Sequence, residues 1–141
     1  MKEGDNLPRF EVENQDGEEV FSKDIQDAVI YFYPKASTPG CTTEACNFRD
    51  SIEKFNDSDL QVYGVSTDTI DAQKKFHENQ ELNFDLLADH DKEVSKKFGV
   101  LKDTGTAERT TFLVRDGKVE KVFRKVSPSK HIDEVIEYIE D

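Results

Sequence analysis

The sequence predicts an α/β domain: a mixed central sheet with helices on both faces and a β-hairpin at the N-terminus. Three observations carry this. Short runs of β-branched and aromatic residues alternate along the chain with stretches whose apolar residues recur every three or four positions. Two Asp-Gly pairs, Asp16-Gly17 and Asp116-Gly117, sit between strand-like runs, where a hairpin turn needs positive φ. The 141 residues suffice for one hydrophobic core but not two, and no repeat, linker or low-complexity segment divides them, so residues 1–141 form a single domain.

The elements follow in order. Phe10 to Glu13 and Glu18 to Phe21 alternate apolar and polar residues around Asp16-Gly17, which makes the N-terminal hairpin. Ala28 to Tyr33 is a continuous apolar and aromatic run ended by Pro34, as expected of a central strand buried on both faces. From Cys41 to Phe55, residues Ala45, Phe48, Ile52 and Phe55 share one helical stripe, with Cys41 in the first turn. Leu60 to Val65 is a second buried strand, and a helix from about Thr69 to Glu81 follows it with Asp68 as its cap. Asp85 to Ala88 is a short strand, and a brief helix from Lys92 to Phe98 ends at Gly99. Thr110 to Arg115 and Val119 to Phe123 form the second hairpin. Ser129 to Ile139, with Ile132, Val135, Ile136 and Ile139 on one side, is the closing helix. A βαβ unit followed by a ββα unit is a thioredoxin-like arrangement, here carrying extra strands and a helix.

Composition narrows the function. A net charge of -12 and a pI near 4.7 argue against nucleic acid and against an anionic membrane, since both need clustered Lys and Arg. No apolar run reaches the roughly 18 residues of a membrane span. The opening MKEGDNLPRF lacks the apolar segment of a secretory signal, so the expected location is cytoplasmic. Two cysteines in that compartment are redox-active or inert rather than a structural staple.

The informative stretch is Pro34-Lys35-Ala36-Ser37-Thr38-Pro39-Gly40-Cys41-Thr42-Thr43-Glu44-Ala45-Cys46, running from a strand end through a loop into a helix. A thiol in the first helical turn faces unpaired N–H groups and the positive end of the helix dipole, both of which favour a thiolate. Pro39-Gly40 brings backbone close to the sulfur, and Thr38 offers it a hydroxyl. Cys46 lies five residues on; across an intact helix the two Cα atoms stand roughly 8 to 9 Å apart, whereas a disulfide wants under about 7 Å. Bridging them requires the first turns to unwind. Zinc is disfavoured, because His77, His90 and His131 lack the pairing of a structural site and are expected at the surface or half-buried. Arg109, just before an apolar strand, is the best placed distant cation for a thiolate, and Glu44 either orients it or complements the helix dipole.

These residues resemble the peroxiredoxins, whose active-site motif is similar to Pro34-x-x-x-Thr38-x-x-Cys41, and TPGCTTEACNFRD is similar to the peroxiredoxin Q or bacterioferritin comigratory group. The likeness spans nearly the whole chain, through GDNLPRFEVENQDGEEV, GVSTD, LLAD and RTTFLVRDGKV. It implies that Cys41 is the peroxidatic cysteine, that Thr38 and Arg109 bind thiolate and peroxide, and that Pro34 shields the sulfur. Glu44 would position Arg109, and Cys46 would be the resolving cysteine, forming an intramolecular disulfide that a thioredoxin or similar dithiol reduces. The substrate is then a hydroperoxide, no metal or organic cofactor is implied, and resolution within one chain predicts a monomer. Two rival readings use the same thiols: a protein disulfide oxidoreductase, and a redox-sensing or chaperone-like binding protein.

Overall fold

The computed structural model describes residues 1–140. In chain order the elements are β1 (Glu11–Asn14), β2 (Glu19–Phe21), β3 (Ala28–Phe32), α1 (Pro39–Asp50), α2 (Ile52–Asp57), β4 (Gln61–Ser66), α3 (Ile70–Asn79), β5 (Asp85–Ala88), α4 (Glu93–Lys97), β6 (Thr110–Arg115), β7 (Lys118–Phe123) and α5 (His131–Glu140). The strands join in one sheet of order β2-β1-β5-β4-β3-β6-β7. Helical crossovers make β3, β4 and β5 parallel neighbours, while the hairpins at either end pair antiparallel. At the second hairpin, Asp116 and Gly117 both have positive φ, 51° and 73°, the geometry that matches strand twist.

Alternation along β3 divides the core. Val29 and Tyr31 face a layer built by Ala45 and Phe48 of α1, Phe55 of α2, Phe76 of α3 and Val135 of α5. Ala28, Ile30 and Phe32 face the other side, under Val94 of α4, Phe98 and the N-terminal residues Phe10 and Val12. The central strand is thus buried on both faces, and the helices on both faces and the N-terminal hairpin are as the sequence predicts.

Three local expectations are corrected. The stripe from Cys41 to Phe55 is two helices, because Ser51 leaves helical geometry (φ -109°, ψ 10°) and its N–H turns back to the Phe48 carbonyl at 3.2 Å. Phe55 packs in the core beside Phe48 across the break, ring centroids 5.5 Å apart. The cap of α3 is Thr69, whose hydroxyl accepts the Ala72 N–H at 3.2 Å; Asp68 is engaged elsewhere. His131 is fully buried rather than exposed or half-buried, lying edge-on to Phe48 and Phe123.

Candidate active site

Strand β3 ends at Phe32, and the following loop delivers the chain to the N-terminus of α1, which begins at Pro39, a residue suited to a first turn because the missing N–H has no helical partner anyway. The loop is held from outside. The Asp68 carboxylate accepts the Ala36 N–H at 2.7 Å and the Ser66 hydroxyl at 2.6 Å, so β4 fixes the position of a segment that begins on β3. Ser37 adopts a left-handed conformation (φ 64°), which costs a non-glycine residue about 1 kcal/mol and persists because its neighbours are tied down.

This scaffold brings Cys41, Glu44 and Arg109 together. Cys41 is buried, 1% exposed, in the first turn of α1. Arg109 reaches it from the start of β6: Nη2 donates to Cys41 Sγ at 3.4 Å, while Nη1 donates to Glu44 Oε1 at 2.7 Å. One planar guanidinium therefore serves two groups one helical turn apart, a fork that lysine cannot reproduce. Gly40 is part of the fit, since a Cβ there would stand 3.4 Å from both Arg109 Nη2 and Pro128 Cγ. Pro128 belongs to the segment between β7 and α5, which is fastened to the site by the Val126 N–H on the Arg109 carbonyl at 3.2 Å and by Asn47 Nδ2 on the Pro128 carbonyl at 3.4 Å.

Electrostatics follow burial. Desolvation pushes the Glu44 carboxyl up to about 7, against the opposing pull of Arg109, and its Oε2 has no hydrogen-bond partner. Burial likewise lowers His131 to about 4, with Arg109 acting in the same direction, so the imidazole is neutral, and its Nε2 is hydrogen-bonded to the Thr111 hydroxyl at 2.7 Å. Arg109 is thus the cation at the heart of the site, hydrogen-bonded to the Glu44 carboxyl.

The other sequence-predicted residues stand around this centre. Pro34 is half-buried at the exit of β3. The Thr38 hydroxyl donates to the Lys35 carbonyl at 2.8 Å, not to the sulfur; with its one proton committed there, its oxygen is left as an acceptor. Cys46 is on the same unbroken helix but in different surroundings, half-buried, with its thiol on Gln80 Oε1 at 3.5 Å. Both thiols are free. Sequence reasoning missed Asp68, Asn47, Pro128 and the buried His131. Asp68 offered a signal in the GVSTD run, but it was equally readable as a helix cap; the others depend on how the last segment folds back over α1.

Residues 4–122 match the AhpC/TSA family. Peroxiredoxin Bcp of Escherichia coli K12 is 39% identical, aligned over 100% of this chain and 97% of its own length. The crystal structure of peroxidoxin BcpB from Mycobacterium tuberculosis superposes with a TM-score of 0.92 at 36% identity, covering 99% of this chain and 97% of that one. A bacterioferritin comigratory protein of Xanthomonas campestris, whose structures concern alkyl peroxide reduction, gives a TM-score of 0.87 at 31% identity over 93% of this chain and 90% of its own. Family match, full-length identity and a shared thioredoxin-like fold agree with the buried thiol at a helix N-terminus: the chain belongs to the AhpC/TSA family, in its Bcp/peroxiredoxin Q group.

Proposed function

We propose that this protein is a thiol peroxidase in which Cys41 reduces hydroperoxides and Cys46 resolves the product. The observation that carries the reading is the Arg109 fork, one cation bonded to Cys41 Sγ and to Glu44. As the Cys41 thiolate attacks the terminal peroxide oxygen, the O–O bond breaks and negative charge moves from sulfur to the departing oxygen. A guanidinium already beside the sulfur stabilises that charge without reorganising, so it favours the transition state over the ground state. Helix N–H groups at the start of α1 act in the same sense. The Thr38 oxygen is free to accept the peroxide O–H, which orients the substrate. Pro34 shields the sulfur from one side, and Glu44 holds Arg109 in its fork.

The products are an alcohol or water, once the departing oxygen takes a proton, and a sulfenic acid on Cys41. Cys46 then attacks that sulfur, the S–O bond breaks, and water leaves as the disulfide forms. A dithiol of the thioredoxin type returns both thiols by exchange. Burial favours this reading over a protein disulfide oxidoreductase, because a peroxide reaches a thiol that is 1% exposed more easily than a protein disulfide does. Alkyl hydroperoxides join hydrogen peroxide as substrates by analogy with the Xanthomonas campestris relative.

Resolution inside one chain needs no second copy, so the working unit is a monomer. Two thiols that must cycle through the reduced state suit a reducing compartment, and the cytoplasm is the place assigned. Among the described residues no helix is long and apolar enough to cross a membrane. With a net charge of -12, neither nucleic acid nor an anionic bilayer is a partner. The reading is tested by peroxide consumption in a single turnover: reduced wild-type protein consumes hydroperoxide and Cys41→Ser consumes none, and persistence of peroxide with the wild type would overturn it.

A further inference from the structure

Cys46 does not simply wait on α1; it is fastened. Its thiol donates to Gln80 Oε1 at 3.5 Å. One turn later Arg49 Nη1 donates to the Gln80 carbonyl at 2.6 Å, and Asn83 Nδ2 donates to the Arg49 carbonyl at 3.2 Å. The segment that receives these bonds is itself fixed: Gln80 closes α3 through its N–H on Phe76, the Leu82 N–H bonds the His77 carbonyl, and Leu82 and Phe84 are in the core. The C-terminal half of α1 is therefore tied to the end of α3 and the packed segment that follows it. Cys46 is the member of that tie that must let go, because five residues of intact helix hold the two Cα atoms roughly 8 to 9 Å apart, beyond disulfide reach.

We propose that Gln80 and Arg49 form a latch that holds Cys46 in its helical position and sets the rate of the resolving step. This rests on the reading of Cys46 as the resolving cysteine. The latch decides between two fates of the Cys41 sulfenic acid. In one, the Cys46 sulfur bonds to the Cys41 sulfur and the hydroxyl leaves as water with the Cys46 proton. In the other, a second hydroperoxide transfers an oxygen atom to the sulfenic acid, giving a sulfinic acid and an alcohol or water. While the latch holds, the second route has time. Arg49 and Gln80 touch neither Cys41 nor Arg109, so they are positioning residues for resolution and leave the first step alone.

Both contacts can be cut separately. Gln80→Ala removes the acceptor of the Cys46 thiol but keeps the backbone carbonyl that holds Arg49, while Arg49→Ala removes the charged bond. Each reduced variant is mixed with hydrogen peroxide beside the wild type, quenched by thiol alkylation at increasing times, and read by mass spectrometry for sulfenic acid, disulfide and sulfinic acid. The first step is expected to match the wild type in both. Disulfide formation accelerates, by about tenfold in Arg49→Ala where a charge-assisted bond is lost, and less in Gln80→Ala. At high peroxide the sulfinic fraction falls in the same order. Disulfide formation at the wild-type rate or slower in both variants, with an unchanged first step, overturns the latch alone. A wild type that consumes peroxide yet never forms a Cys41 to Cys46 disulfide overturns the latch together with Cys46's role.

Discussion

Arg109 bonds two groups at once, and its value lies in that geometry rather than in its charge alone. A lysine at the same position is a single point of charge that cannot meet both Glu44 Oε1 and Cys41 Sγ with aligned donors. Arg109→Lys is therefore expected to lower the second-order rate of Cys41 oxidation by about 100-fold to 1000-fold, the range seen when one preorganised donor to developing charge is removed; stopped-flow kinetics on the reduced protein measure it. The stretch around Cys41 made Cys41, Thr38 and Glu44 candidates, because a helix start with its flanking residues is a local pattern, while the roles expected of Pro34 and Cys46 came from the resemblance to the peroxiredoxins. Arg109 was legible only as a cation before a strand. The proton of Thr38 was not, since its path to Lys35 depends on a loop that bends through a left-handed Ser37. Asp68 was marked only as a helix cap and Pro128 not at all, because each reaches the site from a separate part of the chain.

Strand β4 shows how an element is shaped by what lies across it. Gly64 has no side chain in a buried strand because a Cβ there would stand 2.9 Å from Tyr31 Cζ and Leu86 Cδ2. Tyr31 in turn stacks on Phe48 of α1, centroids 4.4 Å apart, so the glycine lets β3 seat the helix that carries Cys41. Gly64→Ala is expected to cost about 1 to 3 kcal/mol through overpacking, seen as a lower urea midpoint with an unchanged slope. Elements were well marked in the sequence where turn residues bracket alternation: Asp85–Ala88 and Thr110–Arg115 have the predicted bounds. The break at Ser51 was not marked, because Ile52 and Phe55 continue the apolar period across it. Sheet order was likewise beyond local pattern, since the pairing of β1 with β5 joins strands far apart in the chain.

At the scale of the whole molecule, two buried titratable groups near Arg109 oppose one another. Glu44 is raised from 4.5 to about 7, so the folded protein keeps a proton that the unfolded chain releases. Its stabilising contribution is complete below about 4.5 and is lost as pH rises through about 7. His131 is lowered from 6.5 to about 4, so the unfolded chain takes a proton that the folded protein refuses; its contribution is complete above about 6.5 and is lost as pH falls through about 4. Between these limits the two slopes cancel in the wild type. Glu44→Gln, which retains an acceptor for Arg109, is expected to gain stability with rising pH by about 1.4 kcal/mol per unit in that window, and His131→Gln to lose it at a similar rate. Urea titrations across the window read both slopes. Above about pH 7 the ionised, buried Glu44 therefore costs the fold stability. The division of labour between the two thiols is tested most directly by mass spectrometry after one equivalent of hydrogen peroxide. The wild type is predicted to lose two hydrogens as Cys41 and Cys46 join, Cys46→Ser to gain one oxygen atom, and Cys41→Ser to remain unchanged; an unchanged wild-type mass, or an oxygen gained by Cys41→Ser, would contradict it.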